Sequence, residues 1–216
     1  MSKYRVCYSQ GEEVKFISHL DFLRTITRTF RRAQVPVKYS EGFNPHMVMT
    51  IGLPLSVGTT TCCDCLDVEL TEEADTEELK KRINECAPRG IKVNGIKKAD
   101  GLKPLFNIDS AVYDTAFVTD VPAELKSFID EPEIIIEKKS KRKIKEVNLK
   151  DFVRSIEVVN SDGKNHFIKM HINAGNFSNL KPELVLNAME KYYGCNITDI
   201  AIERREIYFD DMTRVF

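Results

Sequence analysis

Residues 16–58 read FISHLDFLRTITRTFRRAQVPVKYSEGFNPHMVMTIGLPLSVG, and this stretch decides the fold. Its first part predicts a helix, because Ser18 followed three residues later by Asp21 resembles a capping box and apolar residues then recur at helical spacing. The apolar stripe consists of Leu20, Leu23, Ile26, Phe30 and Ala33. Pro36 disfavours helical geometry at the residue before it, so we expect the helix to end near Ala33.

The same stretch holds the candidate ligand-binding residues, because polar side chains stand there beside glycine and proline residues that shape the backbone. They are Ser18, His19, Asp21, Arg24, Tyr39, Ser40, Gly42, Phe43, Asn44 and His46. We expect the loop 39–46 and the turn 54–58 to pack against the start of the helix and to line one shared pocket. The free N–H groups at the helix start, together with Arg24 or Lys15, would hold an anion there.

Two histidines of this stretch allow a catalytic interpretation. If His19 and His46 converge, they could act as general acid and base on a small substrate or an RNA phosphodiester, oriented by Ser18, Asp21 or Ser40. The structural alternative is that His19 bonds a neighbour at the edge of the core and that the loop only caps the core.

Composition places the chain among ordinary folded proteins. It has 216 residues, of which 42% are hydrophobic and 30% charged, and its net charge is −1. We expect a cytoplasmic protein without membrane contact, because the sequence has no apolar run of spanning length and its first ten residues lack the core of a signal peptide. Six cysteines at this length predict reduced thiols.

Basic residues are concentrated in two parts of the chain, 1–50 and 138–150. With aromatic residues near the first loop, this segregation suggests a surface for single-stranded or structured RNA, although each cluster alone is more typical of a solvated face. The candidate nucleic-acid contacts are Arg28, Arg31, Arg32, Lys141, Arg142, Lys143, Arg204 and Arg205.

The order of predicted elements indicates the architecture. Strands and helices follow one another as β-α-β-β-α-β, and the second part of the chain repeats this order loosely. We therefore predict an α+β protein with two tandem ferredoxin-like (βαββαβ) halves and antiparallel sheets. The first half spans residues 1–103, and the second spans residues 104–216 and includes a basic hairpin.

Three cysteines cluster at Cys62, Cys63 and Cys65. Structural zinc sites usually have two to four residues between paired cysteines, and cysteine also serves as a small buried apolar residue. We therefore predict neither a metal site nor a cofactor, although three clustered thiols leave a soft metal open.

Several motifs carry a resemblance to a known family. The segments FISHLD, YSEGFNPH, GLPLSVG and DVELT, with NLKDFV (148–153), LKPELV (180–185) and ERREIY (203–208), resemble the radical-SAM-linked protein family, a domain of unknown function. The resemblance implies a cytoplasmic bacterial protein fused to, or encoded beside, a radical SAM protein. It implies no activity for the domain itself.

These observations predict an accessory protein that binds RNA and works with a radical SAM partner. One alternative is a hydrolase or endoribonuclease-like enzyme that uses His19 and His46. The other is an adaptor that contacts only proteins, for which an exposed apolar patch would replace a polar cleft.

Overall fold

The structure is a computed structural model that describes residues 2–140 and 143–216. The first part of the chain forms β1 (Ser2–Gln10), α1 (His19–Arg32), β2 (Met49–Ile51), β3 (Thr59–Leu70), α2 (Thr76–Cys86) and β4 (Ile91–Lys98). The second part forms β5 (Ile108–Thr119), α3 (Leu125–Asp130), β6 (Ile135–Ser140), β7 (Lys143–Asn148), β8 (Val153–Ser161), β9 (Asn165–Asn173), α4 (Pro182–Tyr193) and β10 (Ile197–Phe209). The protein is thus mixed α+β, as predicted.

One sheet runs through both parts of the chain, in the strand order β4-β1-β3-β10-β5-β9-β8, and β2 also pairs with β3. All of these pairings are antiparallel except one. β10 lies parallel to β3 and joins Ile202, Glu203 and Arg204 to residues 59–61. The sheet is thus mostly antiparallel, and its one parallel pairing lies at this junction, where the two parts meet in one sheet instead of forming two.

Helix α1 begins and ends as its sequence predicts. The Ser18 side chain accepts a hydrogen bond from the Asp21 N–H, and Ala33 closes the helix. Its buried face differs from the predicted stripe, because Phe22 is buried against the Tyr8 ring whereas Leu20 is 62% exposed. Two residues turn an α-helix by about 200°, so these two side chains point to opposite sides.

The segment after α1 is irregular. It has two isolated bridges, from Val37 to Leu70 and from Tyr39 to Met47. Pro36 lies in this segment and has no N–H with which to continue a ladder.

The basic hairpin forms a separate two-stranded sheet of β6 and β7. Lys141 and Arg142 lie outside the described residues, and only the backbone of Lys143 is described. In the part of the chain that is described, none of the helices has the length and apolar character needed to cross a bilayer.

Two apolar cores lie under the helices, one in each part of the chain. The first packs Phe30 and Ile83 onto Leu66, and the second packs Met189 onto Ile168. A smaller core, which includes Cys65 and Phe209, lies on the opposite face of the sheet. The helices of both parts therefore cover the same face, and a cleft opens on that face where β10 joins β3.

Candidate functional site

At the start of α1 the polar side chains bond mostly to one another. The Ser18 hydroxyl donates to Asp21 at 2.7 Å, and Arg24 donates to the same carboxylate at 2.9 Å. Hydrogen bonds from Ser18 and then Arg24 lower the pKa of Asp21. Asp21 therefore caps the helix and holds Arg24.

The turn 54–58 packs against this helix start, as predicted. The Gly58 N–H donates to the Lys15 carbonyl at 2.7 Å, and Gly58 has the positive φ of 89° that this turn requires. Between the turn and the helix, His19, Ser18 and Ser56 line a gap of only about 10 Å³. Such a gap holds at most one water molecule, so this is not a ligand pocket.

The loop 39–46 lies at the other end of α1. The Tyr39 hydroxyl accepts a hydrogen bond from Arg31 near the helix C-terminus at 3.2 Å, and Ser40 bonds the His46 ring at 2.8 Å. Fourteen helical residues span about 21 Å, so the predicted shared pocket and the convergence of His19 with His46 are both wrong. The sequence could not show this, because β2 carries the chain back along β3 before the turn 54–58.

The loop itself is open to solvent. Gly42 has a φ of 112° and Phe43 is fully exposed, at 105%. Asn44 is exposed as well. Phe43 does not plug the core, and the side chains of this loop are available to another molecule.

The predicted nucleic-acid contacts divide into three groups, one of which, Lys141, Arg142 and Lys143, has its side chains outside the described residues. Arg28, Arg31 and Arg32 are exposed on α1, and Arg205 is exposed on β10. Arg204 is buried, so its prediction as a surface contact is wrong. Neighbouring residues of a strand point to opposite faces, and only one of an Arg-Arg pair can face solvent here.

A cavity of about 340 Å³ opens at the junction of the two parts. Its walls come from the turn 52–56, from residues 175–176 and 179–182, and from β5 and β10. The polar side chains among the lining residues are Ser56, Thr59, Tyr113, Asn176, Asn179, Lys181 and Arg204. In the described part of the chain, its lining includes two cationic side chains and no carboxylate.

Arg204 forms the innermost charged part of this wall and is 1% exposed. Its Nη2 donates to Asp64 at 2.9 Å and to the Leu53 carbonyl at 3.2 Å, which ties β10 to β3 and to the turn. Its Nε is buried and has no acceptor among the described residues. A buried donor left unpaired costs about 1–3 kcal/mol.

Burial perturbs the ionisable groups around this guanidinium. Burial raises the pKa of Asp64, against the opposing effects of Arg204 and of the Thr61 hydroxyl. Burial alone would lower the pKa of Arg204, but the charge of Asp64 and neighbouring groups raises it above its ordinary value. Burial also raises the pKa of Tyr113, which is therefore a neutral hydroxyl group in the cavity wall.

A tight loop forms the rim of the cavity. Ala174 bridges Asn179, and the Gly175 N–H donates to the Ser178 carbonyl at 2.9 Å. The tip residue Phe177 is 83% exposed and meets the half-exposed Phe106 edge to face at 5.4 Å between ring centroids. A rigid pair of exposed aromatic rings thus stands beside a cationic cavity.

Helix α4 starts in the same wall. Its N-cap is Lys181, with no side-chain hydrogen bond to the first turn, and Pro182 follows. Glu183 lies in this first turn, and its Oε2 is buried with no hydrogen-bond donor within reach among the residues that the structure describes. The charge of Glu183 contributes to the raised pKa of Tyr113, which places the carboxylate close behind the cavity wall.

Sequence reasoning missed this cavity. Its one sequence signal was the segment N-F-S-N-L-K-P (176–182), in which asparagines and a proline mark a turn leading into a helix. The decisive pair, Asp64 with Arg204, is separated by 140 residues and lies inside strands. Spacing within a strand does not show which distant strand will pair with it.

The cysteine cluster lies across the sheet junction. An extra residue in β3 between Thr61 and Asp64 makes a bulge, so the thiols of Cys62 and Cys63 both reach the Arg204 carbonyl. The hydrogen bond from Cys63 lowers the pKa of Cys62 to about 7. Within residues 2–140 and 143–216, no group of three or more His, Cys, Asp or Glu side chains is arranged to hold a metal ion.

Similar solved structures were found at low identity. One is "Crystal Structure of a Cbf5-Nop10-Gar1 Complex", at 11% identity, with a TM-score of 0.47 and coverage of 86% of this chain and 45% of the other. Another is "Structure of H/ACA RNP bound to a substrate RNA containing 2'-deoxyuridine", at 10% identity, with a TM-score of 0.48 and coverage of 92% and 46%. This chain thus spans less than half of each matched chain, and at such TM-scores the fold description rests on the strand pairings alone.

A further structure, "Crystal Structure of an Unknown Protein from Galdieria sulphuraria", is 13% identical, with a TM-score of 0.27 and coverage of 94% of this chain and 98% of the other. No curated protein matches the sequence. Residues 3–182 match the model of the family described as "Uncharacterized protein conserved in bacteria (DUF2344)", and the chain belongs to that family.

Proposed function

We propose that this protein binds single-stranded RNA at the rim of the cavity between its two parts. The observation that carries the proposal is the exposed aromatic pair Phe106 and Phe177, held beside a cavity whose charged lining residues are Lys181 and Arg204. Aromatic side chains stack with unpaired bases, and cationic side chains bind the phosphates between them.

The rim suits stacking because its geometry is fixed before a ligand arrives. The Asn176 side chain donates to the Phe106 carbonyl at 3.0 Å, and this bond ties the loop to the segment that carries the second ring. A preorganised platform loses little conformational entropy on binding. The exposed Arg28 on α1 would extend the proposed surface for the rest of the strand. Arg31 and Arg32 lie at the C-terminal end of α1, where Arg31 bonds Tyr39, and Arg205 points to the opposite face of β10 from Arg204.

We also propose that the loop 39–46 contacts the radical SAM partner that the sequence resemblance implies. Phe43 supports this assignment, because a fully exposed aromatic residue on an anchored loop is typical of a protein contact. Glu41 and Asn44, which are exposed beside Phe43, would provide the polar rim of such a contact. RNA binding and partner binding would then use different ends of α1, so a substrate RNA and the partner could be bound together.

We propose that both parts are ferredoxin-like units. The orders β4-β1-β3-β2 and β10-β5-β9-β8, with antiparallel pairing inside each, support this assignment, and the hairpin of β6 and β7 would be an insertion in the second unit. The alternative enzyme that uses both His19 and His46 has no geometric support, because these residues lie at opposite ends of α1.

Fluorescence anisotropy with a labelled 12-nucleotide oligouridylate tests the RNA proposal. Contacts to about three phosphates would weaken binding roughly 20-fold between 50 and 200 mM salt. Phe177→Ala should weaken binding about tenfold, since one stacked base contributes about 1–3 kcal/mol. Phe43→Ala is the matched control, because it removes an equally exposed ring at the other end of α1.

The two variants separate the proposals. Absence of binding at 50 mM salt, or equal losses in both variants, would contradict RNA binding at the rim. Co-purification with the radical SAM partner should show the reverse order, with Phe43→Ala reducing recovery of the partner and Phe177→Ala leaving it unchanged.

A further inference from the structure

We propose that the cavity between the two parts is a binding site for a phosphate monoester, with Arg204 and Lys181 as its cationic ligands. The inference deepens the proposed function and rests on it for the choice of nucleotide ligands. It concerns the cavity itself and not the aromatic rim.

Arg204 supplies the first observation. Its side chain is 1% exposed, it forms part of the cavity wall, and its Nε–H has no acceptor among the described residues. Asp64 and Leu53 hold the guanidinium in place through Nη2, so its remaining donors are preorganised. A phosphate oxygen would complete this group with a charge-assisted hydrogen bond.

The start of α4 supplies the second observation. Helix N-termini favour anions because their first N–H groups are unpaired, and α4 has no side-chain cap that would compete. Lys181 at this position lines the cavity and is exposed enough to reorient toward a ligand. The two cationic lining residues therefore come from different elements, β10 and the α4 start.

The remaining polar lining residues also fit a phosphate. Asn176 and Asn179 carry amide donors, and Ser56 and Tyr113 carry hydroxyl donors, from three different segments. Among the described lining residues none is a carboxylate, so no like charge stands inside the cavity. Asp64, bonded to Arg204 at 2.9 Å outside the cavity lining, is the nearest opposing charge, and burial raises its pKa. Glu183 acts from behind the wall beside Tyr113.

The position of the guanidinium favours a terminal group over an internal one. Arg204 lies at the inner wall and is 1% exposed, so an internal phosphate, which continues into a nucleotide on both sides, would have to bring more of the strand into the cavity than a terminal one. A phosphate monoester needs only to enter. Near neutral pH it also carries a charge close to −2, whereas an internal diester carries −1, so it is attracted more strongly to Lys181 and Arg204.

Nuclear magnetic resonance with inorganic phosphate tests the site directly. We expect saturable shifts of the Arg204 Nε–H resonance and of the Asn176 and Asn179 side-chain amides. Binding should strengthen as pH rises from 5.5 to 7.5, because the second phosphate proton dissociates near pH 6 while the Lys and Arg side chains stay charged. Sulfate, which is doubly charged throughout this range, is the control and should show little change.

Charge variants on α4 test the ligands. Lys181→Gln should weaken phosphate binding about tenfold, whereas Lys191→Gln, at the far end of the same helix, should leave it unchanged. Glu183→Gln should tighten binding severalfold, because it removes a like charge behind the wall. Equal effects of the two lysine variants, or shifts that do not include the Arg204 Nε–H, would overturn the site.

Oligonucleotide arms identify the source of the phosphate and separate this inference from the proposed function. If the group ends a strand, 5′-phosphorylated oligouridylate should bind at least tenfold tighter than its 5′-hydroxyl twin. If the group belongs to a free nucleotide, uridine 5′-monophosphate should bind and the two oligonucleotides should bind equally.

Two results distinguish failure of the site from failure of RNA binding. Oligonucleotides that bind while phosphate and uridine 5′-monophosphate do not shift the Arg204 Nε–H would overturn the site and leave RNA binding intact. Phosphate that shifts Arg204 while neither oligonucleotide binds would support the site and contradict RNA binding.

Discussion

The loops 39–46 and 174–182 differ in whether they line a cavity, and their sequences do not indicate this difference. The first is rich in the residue types expected of a ligand site, yet it lies open at one end of α1, with Phe43 fully exposed. The second attracts less attention in the sequence, yet it packs against β5 and lines the cavity at Arg204. A dense motif therefore indicates a shaped loop, whereas a cavity depends on which distant strands meet.

Substitution of the glycines of the two loops should give the largest difference in the free energy of unfolding. A Cβ on Gly175 would lie 2.1 Å from the Ile108 carbonyl oxygen, whereas one on Gly42 would meet nothing within 4 Å. We expect Gly175→Ala to lower the free energy of unfolding by about 3 kcal/mol through overpacking. Gly42→Ala should cost only about 1 kcal/mol, for its positive φ.

Urea denaturation of both glycine variants measures this difference. The wild-type protein and Gly101→Ala, at another open glycine with positive φ, are the references. A Gly175→Ala protein as stable as Gly42→Ala would show that the loop 174–182 does not pack rigidly against β5, and the comparison would fail.

The hydroxyl of Ser40 should have a smaller and local effect. It bonds the His46 ring and accepts a hydrogen bond from the His46 N–H at 3.1 Å. Ser40→Ala should remove about 1 kcal/mol of local stability, so the His46 amide should exchange its hydrogen about fivefold faster. The Gly175 amide is the internal control in the same experiment, and an equal change there would contradict a local effect.

Removal of the exposed rings of Phe177 and Phe43 should give a still smaller difference in the free energy of unfolding. Phe177 packs against Phe106, and such edge-to-face pairs contribute about 0.5–1.5 kcal/mol. We therefore expect Phe177→Ala to lower the free energy of unfolding by about 0.5 kcal/mol, because both rings are largely in solvent. Phe43→Ala should leave it unchanged within error, and a larger loss for Phe43→Ala would reverse the comparison.

Protonation of two histidines in the second part of the chain should give the smallest change in the free energy of unfolding. Burial lowers the pKa of His166 and of His171, which bond Thr119 and Ser110 respectively. The unfolded chain, with ordinary histidine pKa values near 6.5, then binds protons before the folded protein does. Stability should fall as pH decreases below about 6.5.

Urea denaturation at pH 7.5, 6.5 and 5.5 checks this direction. His166→Gln should reduce the slope, because it removes one of the two groups that protonate more readily in the unfolded chain. A stability that rises on acidification through this range would contradict the assignment.

Much of the fold followed from local sequence. Periodicity and capping located α1 closely, because helix boundaries depend on near neighbours such as Ser18 and Asp21. The parallel pairing of β3 with β10 did not follow, since three residues of each strand form it and nothing near them marks it. The cavity was not predicted for the same reason. The sequence alone indicates a surface arginine at Arg204, and only the fold places the buried Asp64 beside it.

The pairing of Asp64 with Arg204 also imposes an order on synthesis. The two residues are separated by 140 positions, which the ribosome needs roughly 7–28 s to cover. During that interval the nascent chain carries β3 without its β10 neighbour and an aspartate without its cation. An unpaired strand edge of this kind can pair with other chains. The nascent protein should therefore depend on chaperones until β10 emerges from the ribosome.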